Sequence, residues 1–510
     1  MLRTELIRPV GDLLAAHAAE RGGKQAFRDD DRAVTYEELH ARTGRLAGHL
    51  GALGLEHGGC AAIYMDNAVE AVEAYLAIPR AGGLAAFVNP AASESEVAYM
   101  LGDSGAGILL TDPEHAERAV RLAREIDALE HVVVTRGDAS SEAADFERLA
   151  TTEPPAQPTD DLALDEPAWM LYTSGTTGRP KGVLLSQRSC LWVVAACWAP
   201  IVGLDADDEL LSPLPLFHSY ALDLSVLGVA AVGASGRILP RFRTEPVIEA
   251  LRAEPFTLLA GVPTMYHYLL EGLGDGPLGA RALRRCVSAG AIMPGPLNEA
   301  LDEAFGVPVL DGYGITETST MVTMSWPTGA RPMGSCGLPV PGSTVRLVDP
   351  ATGDETPGGE DGEVWVRGPH VMLGYHERER ETAEALDGGW YHTGDLGRRD
   401  EHGYLSITGR IKELIIRGGE NIYPAEVEEA LVDCDAVLDC AVVGRADDRL
   451  GEVPVAFVVP RDGGLDAEAV LAHCRRRLAA YKVPAEVRPI DEIPRTGSGK
   501  VMRHRLRERL

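Results

Sequence analysis

The segment best suited to chemistry is Tyr172-Thr173-Ser174-Gly175-Thr176-Thr177-Gly178-Arg179-Pro180-Lys181-Gly182. It joins two apolar runs, Ala168-Trp169-Met170-Leu171 and Val183-Leu184-Leu185. Glycines let the backbone turn tightly and aim N–H groups at an anion, hydroxyls add donors, and Lys181 adds positive charge. This composition predicts a phosphate-binding loop. It is not a Walker A loop, which needs Gly-Lys-Ser/Thr contiguous and a helix directly after. The cysteines offer no competing metal chemistry. None of the eight forms a Cys-x-x-Cys pair or stands at zinc-ligand spacing from a histidine, so free thiols in a reducing cytoplasm are expected.

The elements that must position this loop show in the hydrophobic pattern. As far as about residue 325, helical patterns alternate with short apolar runs such as Ala61–Met65, Gly107–Leu110 and His131–Val134. Buried runs between helices predict parallel α/β sheets. Thr35 and Glu38 stand at capping-box spacing at the head of one amphipathic helix. Residues 138–166 are acidic and rich in Ser, Thr and Pro, and read as a connection. From about 326 to 408 the strands are closely spaced, with Thr344–Val348 and Gly362–Arg367 separated by a Gly/Pro/Asp-rich turn. This predicts a small antiparallel sheet or barrel. Beyond Gly409-Arg410 a separate α+β domain of about 100 residues is expected, with helices over Ala425–Val432 and Ala467–Leu478.

Length and charge narrow the function. The 510 residues carry a formal net charge of −29, with 45% hydrophobic and 5% aromatic residues. So acidic a surface argues against binding a nucleic acid polymer, which needs clustered Lys and Arg. A single nucleotide is still compatible, because backbone N–H groups and one or two cations can hold it. The first residues lack the apolar core of a signal peptide. The longest uncharged stretch, Ser189 to Leu204, contains Pro200 and Gly203 and falls short of the ~20 apolar residues of a membrane span. A cytoplasmic protein without a membrane span is expected.

Taken in order, the motifs resemble the adenylate-forming superfamily of acyl-CoA synthetases, adenylation domains and luciferases along nearly the whole chain. They are the loop above, Pro215-Leu216-Phe217-His218, Ser288-Ala289-Gly290-Ala291 and Gly312-Tyr313-Gly314-Ile315-Thr316-Glu317-Thr318. Then follow Gly362–Gly368, Trp390-Tyr391-His392-Thr393-Gly394-Asp395, Gly409-Arg410-Ile411-Lys412-Glu413 and Pro494-Arg495-Thr496-Gly497-Ser498-Gly499-Lys500. The resemblance implies an α/β fold with a large N-terminal core over 1–409 and a small mobile α+β domain over 413–510. Within the core it implies α/β subdomains over about 1–160 and 161–325 and a β-rich, barrel-like subdomain over about 326–408. Residues 410–412 would be the hinge, centred on Lys412.

The same resemblance implies a nucleotide site. Thr173, Ser174, Gly175, Thr176, Thr177, Gly178 and Lys181 would face the phosphates, and Gly290, Ala291, Asp311, Gly312 and Tyr313 the adenine. Thr316 and Lys500 would reach the α-phosphate, and Asp395 and Arg410 the ribose. Asp311 is a mild departure, since the family more often has an amide there. Glu317 and Thr173 would hold Mg²⁺, a cation that prefers oxygen ligands. Thr316, Glu317, Lys500 and His218 are the catalytic candidates, with His218 not assigned as a base. His218, Ser219, Leu222, Val262, Gly290, Ala291, Gly314 and Ile315 would line the acyl pocket. Gly418, Gly419 and Glu420 would border a pantetheine tunnel.

The implied reaction uses ATP and Mg²⁺ to turn a small-molecule carboxylic acid into acyl-AMP, which a phosphopantetheine thiol then takes up. CoA is the expected acceptor, with a stand-alone ligase loading an acyl carrier protein as the alternative. His218 occupies the place where amino-acid-activating relatives carry an Asp, which argues against an α-amino acid. The small, apolar pocket set favours a short- or medium-chain aliphatic acid; an aryl- or malonate-specific enzyme is the other reading.

Overall fold

The way each strand is buried follows its pattern of apolar residues. In Cys60–Tyr64, Leu84–Phe87 and Ile108–Thr111 nearly every residue is buried, as expected where helices cover both faces of a parallel sheet. In Asp361–Arg367 buried and more exposed positions alternate, the mark of an antiparallel sheet with one wet face. The computed structural model describes residues 2–137, 143–173, 179–274, 276–418, 420–447, 449–461, 464–495 and 501–510.

Two large sheets carry the N-terminal part. The eight-stranded sheet runs Gly374–Tyr375, Lys181–Ser186, Pro167–Thr173, Leu84–Phe87, Cys60–Tyr64, Ile108–Thr111, His131–Val134, Ala144–Asp145. The nine-stranded sheet runs Leu338–Pro339, Thr323–Met324, Val309–Tyr313, Arg285–Ser288, Leu258–Gly261, Glu209–Ser212, Ser235–Ile238, Gln25–Arg28, Ala33–Thr35. Strands cross the expected division near residue 160 in both directions. Gln25–Arg28 pairs in parallel with Ser235–Ile238, while Pro167–Thr173 lies beside Leu84–Phe87. One apolar core, which includes Phe27, Trp169, Leu191 and Trp198, joins the two sheets. The stretch expected as a plain connection also holds the short helix Phe146–Thr151, whose Phe146 and Leu149 enter that core.

The capping box is formed: Thr35 accepts from the Glu38 N–H, and the Glu38 carboxylate accepts from the Thr35 N–H, at the head of helix Tyr36–Ala52. A four-stranded antiparallel sheet follows the nine-stranded one, in the order Thr344–Val348, Asp361–Arg367, Tyr391–Arg399, Leu405–Arg410. The last sheet combines Glu420–Ile422, Ile415–Arg417, Gly451–Pro460 and Val437–Asp447, with Glu486–Pro489 parallel to Gly451–Pro460. Helices Pro424–Val432 and Ala467–Arg477 pack on it through Val427, Leu431, Val470 and Cys474. No helix among the described residues is long and apolar enough to cross a membrane.

His370 supplies a pH-dependent element of stability. It is fully buried, and neither ring nitrogen has a hydrogen-bond partner among the described residues. Burial pushes its pKa from 6.5 down to about 4. The unfolded chain therefore binds a proton that the folded one refuses, so stability is lost as pH falls from about 6.5 towards 4. The protein is expected to lose roughly 2–3 kcal/mol more between pH 7 and pH 4.5 than His370→Leu does, measured by urea unfolding. Parallel losses in the two proteins would contradict a neutral buried His370.

Candidate active site

Strands Leu258–Gly261, Arg285–Ser288 and Val309–Tyr313 lie side by side and parallel, with Gly261 opposite Ser288 and Ser288 opposite Asp311. This register sets the start of Val262, Gly290 and Gly314 at neighbouring carboxyl ends, the place where open α/β sheets bind ligands. Gly290 has φ +90°, and a Cβ built on it would meet only Val262 Cγ1, at 3.6 Å. Gly314 is the opposite case, with the Thr320 backbone filling the space beside its Cα. Ser219, Leu222 and Val262 are buried, His218, Gly290, Gly314 and Ile315 half-buried, and Ala291 exposed. The His218 ring tilts against Phe217 with centroids 4.3 Å apart.

After Gly314-Ile315 the chain tightens into the 3₁₀ turn Thr316–Thr318. Ser219 Oγ reaches Thr316 Oγ1 at 3.5 Å. The Glu317 carbonyl accepts from the Met372 N–H at 2.8 Å, and its Oε1 accepts from the Tyr375 hydroxyl at 3.1 Å. Thr173 and Lys181 end and begin the two antiparallel strands that flank the glycine loop, and they pair directly. Ser174, Gly175, Thr176, Thr177 and Gly178 lie outside the described residues, as do Gly419 and Lys500. On either side of Lys500, Arg495 bridges Val501 and the Met502 N–H donates to Pro494 O at 2.8 Å.

Tyr313, Asp395 and Arg410 form one hydrogen-bonded cluster. Asp395 and Arg410 face each other on adjacent strands, and Arg410 Nε lies 2.8 Å from Asp395 Oδ1. The Tyr313 hydroxyl donates to Asp395 Oδ2 at 2.7 Å. Both Asp395 oxygens are thus already oriented by donors, and the carboxylate is nearly buried. Gly312 is buried in the strand before, tight against Met321 and Met324. Asp311 is buried as well, and its Oδ1 has no hydrogen-bond partner among the described residues. Burial pushes its carboxyl well above the usual range. An orphaned oxygen of this kind is a vacant contact for a polar ligand atom.

The C-terminal candidates are spread out. Lys412 is exposed in the 3₁₀ turn Ile411–Glu413, directly after Arg410. Gly418 turns with φ +62°, its N–H donating to Leu450 O at 2.7 Å, and Glu420 opens an exposed edge strand. Arg503, which the sequence presents as part of a basic tail, is internal and pairs with Glu413 at 2.9 Å and Glu428 at 2.5 Å. Sequence reasoning missed Tyr375. Nothing in its spacing ties it to Glu317.

A glycine-rich segment between strands, a Tyr313–Asp395–Arg410 cluster and small residues at strand ends are compatible with an enzyme that activates a second substrate with a nucleotide. Comparison with known proteins makes this specific. Residues 14–376 match the family described as AMP-binding enzyme, and residues 426–500 match the AMP-binding enzyme C-terminal domain. The chain belongs to this adenylate-forming family. It is 38% identical over 489 residues to a feruloyl-CoA synthase from an Amycolatopsis species, with 95% of each chain covered. It is 36% identical to an indoleacetate–CoA ligase from Aromatoleum aromaticum, with 96% of each covered. The anthranilate CoA ligase AuaEII, solved with anthranoyl-AMP, superposes with a TM-score of 0.91 at 28% identity, covering 100% of this chain and 99% of that one. The protein is accordingly an AMP-forming acid–thiol ligase that uses ATP to activate a small-molecule carboxylic acid as acyl-AMP.

Asp395→Ala is expected to raise the KM for ATP ~10- to 100-fold, since it removes two oriented acceptors and strands Arg410 beside them. Initial rates at saturating acid measure this. An unchanged KM would show that ATP binding does not depend on Asp395.

Proposed function

We propose that the enzyme joins an aromatic monocarboxylic acid to CoA. The observation that carries this reading is Gly290, just past the end of the Arg285–Ser288 strand, which leaves open space beside Val262. Such an opening suits a flat ring, and the relatives include ligases named for feruloyl, indoleacetate and anthranilate groups. The pocket set contains no Lys or Arg, so a second carboxylate would be buried without a partner. A short- or medium-chain aliphatic acid is the second reading, favoured by the apolar Leu222, Val262 and Ile315.

In this reading Asp311 and Tyr313 receive the adenine and Asp395 and Arg410 the ribose, while Thr173, Lys181 and the loop between them receive the phosphates. Glu317 and Thr173 suit Mg²⁺. A cation that prefers oxygen ligands and keeps several waters is commonly bound through one or two protein oxygens together with substrate phosphates. Bound there, the metal would neutralise phosphate charge. Thr316 and Lys500 would stabilise the α-phosphate while the carboxylate attacks it and the bond to the β-phosphate breaks, releasing pyrophosphate. Rotation about Lys412 would then withdraw Lys500 and bring the turn at 418–420 to the acyl-AMP, where the CoA thiol attacks its carbonyl and AMP leaves.

The test is AMP release with cinnamic, arylacetic and benzoic acids against butanoate to octanoate and malonate, with CoA and with a holo-carrier protein. Aromatic acids with CoA are expected to lead in kcat/KM by ~10-fold or more. A lead for octanoate would establish the second reading, and a lead for carrier protein would overturn CoA.

A further inference from the structure

Tyr375 lies on the outermost strand of the eight-stranded sheet, in a sequence context that carries no chemistry of its own. Its position does. The hydroxyl donates to Glu317 Oε1 at 3.1 Å, and the Lys181 ammonium lies 5.0 Å from the centroid of its ring. One side chain therefore touches both the carboxylate suited to the metal and the cation that closes the phosphate loop.

This side chain is held firmly. Tyr375 pairs with Val183 on the strand that Lys181 begins, and its N–H donates to Thr382 Oγ1 at 2.9 Å. The His376 N–H donates to Gly182 O at 2.7 Å. The same segment grips the other end of Glu317, since the Met372 N–H donates to its carbonyl. Main chain and carboxylate of Glu317 are thus both fixed by residues 372–375. A phenol is well suited to the task. It orients a carboxylate without bringing a positive charge that would compete with a cation, as Lys or Arg would. Its ring face at the same time attracts the Lys181 ammonium.

We propose that Tyr375 is a positioning residue for the first half-reaction: its hydroxyl sets the Glu317 carboxylate for Mg²⁺ on the ATP phosphates, and its ring steers Lys181 towards those phosphates. The proposal rests on the reading of Glu317 as a metal ligand, so its test must separate the two. Calorimetric titration of MgATP, and of AMP in EDTA, without acid substrate, is run on wild type, Tyr375→Phe, Tyr375→Leu, Glu317→Gln and Tyr375→Phe/Glu317→Gln.

Tyr375→Phe keeps the ring and loses only the hydroxyl. It is expected to weaken MgATP binding about 10-fold, the lower end for partners that orient metal ligands, with AMP binding and the thermal midpoint unchanged. Tyr375→Leu should weaken MgATP further, because Lys181 loses its ring. In the Glu317→Gln background, Tyr375→Phe should add little, since the group that it orients is already altered. Equal losses for MgATP and AMP, or a full additional loss in the Glu317→Gln background, would make Tyr375 a packing residue and overturn the proposal. Wild-type MgATP affinity in Tyr375→Phe with Glu317→Gln impaired overturns the proposal alone. Wild-type MgATP affinity in Glu317→Gln removes the reading of Glu317 and this proposal with it.

Discussion

Lys500→Ala is expected to slow acyl-AMP formation by ~10²–10³-fold, the usual effect of losing one preorganised donor to developing charge. The same variant, supplied with synthetic acyl-AMP and the thiol acceptor, should form thioester at a rate near wild type. The asymmetry follows from the reading that Lys500 meets the α-phosphate only while the C-terminal domain is turned for adenylation. The Arg495–Val501 bridge and the Met502–Pro494 hydrogen bond tie together the two described segments that flank Lys500 in the chain. Pyrophosphate exchange reports the first half-reaction and thioester formation the second. Equal slowing of both would show that Lys500 is not specific to one step.

Gly314→Ala is expected to abolish adenylation and destabilise the protein by more than about 3 kcal/mol. A methyl group there would lie 1.2 Å from the Thr320 carbonyl oxygen and 2.3 Å from its carbon. The obstacle is backbone and cannot swing aside. Thr320 already has φ +106°, its N–H donates to Ile315 O at 3.1 Å, and its hydroxyl donates to the buried Asp223 at 3.1 Å. Relief would have to come from shifting the turn that carries Thr316 and Glu317, so stability and activity should fall together. The thermal midpoint should drop by more than about 5 °C. A midpoint within about 2 °C of wild type would show that residues 319–321 yield at small cost.

Much of the fold could be read locally. The capping box at Thr35 and Glu38, the buried run at Cys60–Tyr64 and the alternation in Asp361–Arg367 depend on residues a few positions apart, and each formed as its pattern requires. Asp395 and Arg410 were each identifiable as site candidates from their motifs. Their register, and the Tyr313 hydroxyl that completes the cluster, came from strand pairing and from docking of two sheets.

By itself, then, the sequence determined the phosphate loop's composition, the adenylate-forming motifs and their order, and the apolar patterns from which the sheets are built. Only the tertiary structure decided that Gln25–Arg28 joins the sheet of residues 209–313, that Arg503 is internal between Glu413 and Glu428, and that Asp311 is deeply buried with its carboxyl pushed towards the neutral form. It also brought Tyr375 to Glu317 and Lys181. The physical reason is one of range. Caps and periodicities are settled by hydrogen bonds and side-chain faces within one element. Burial, charge state and contacts between distant residues depend on which elements close against one another, and no local spacing encodes that.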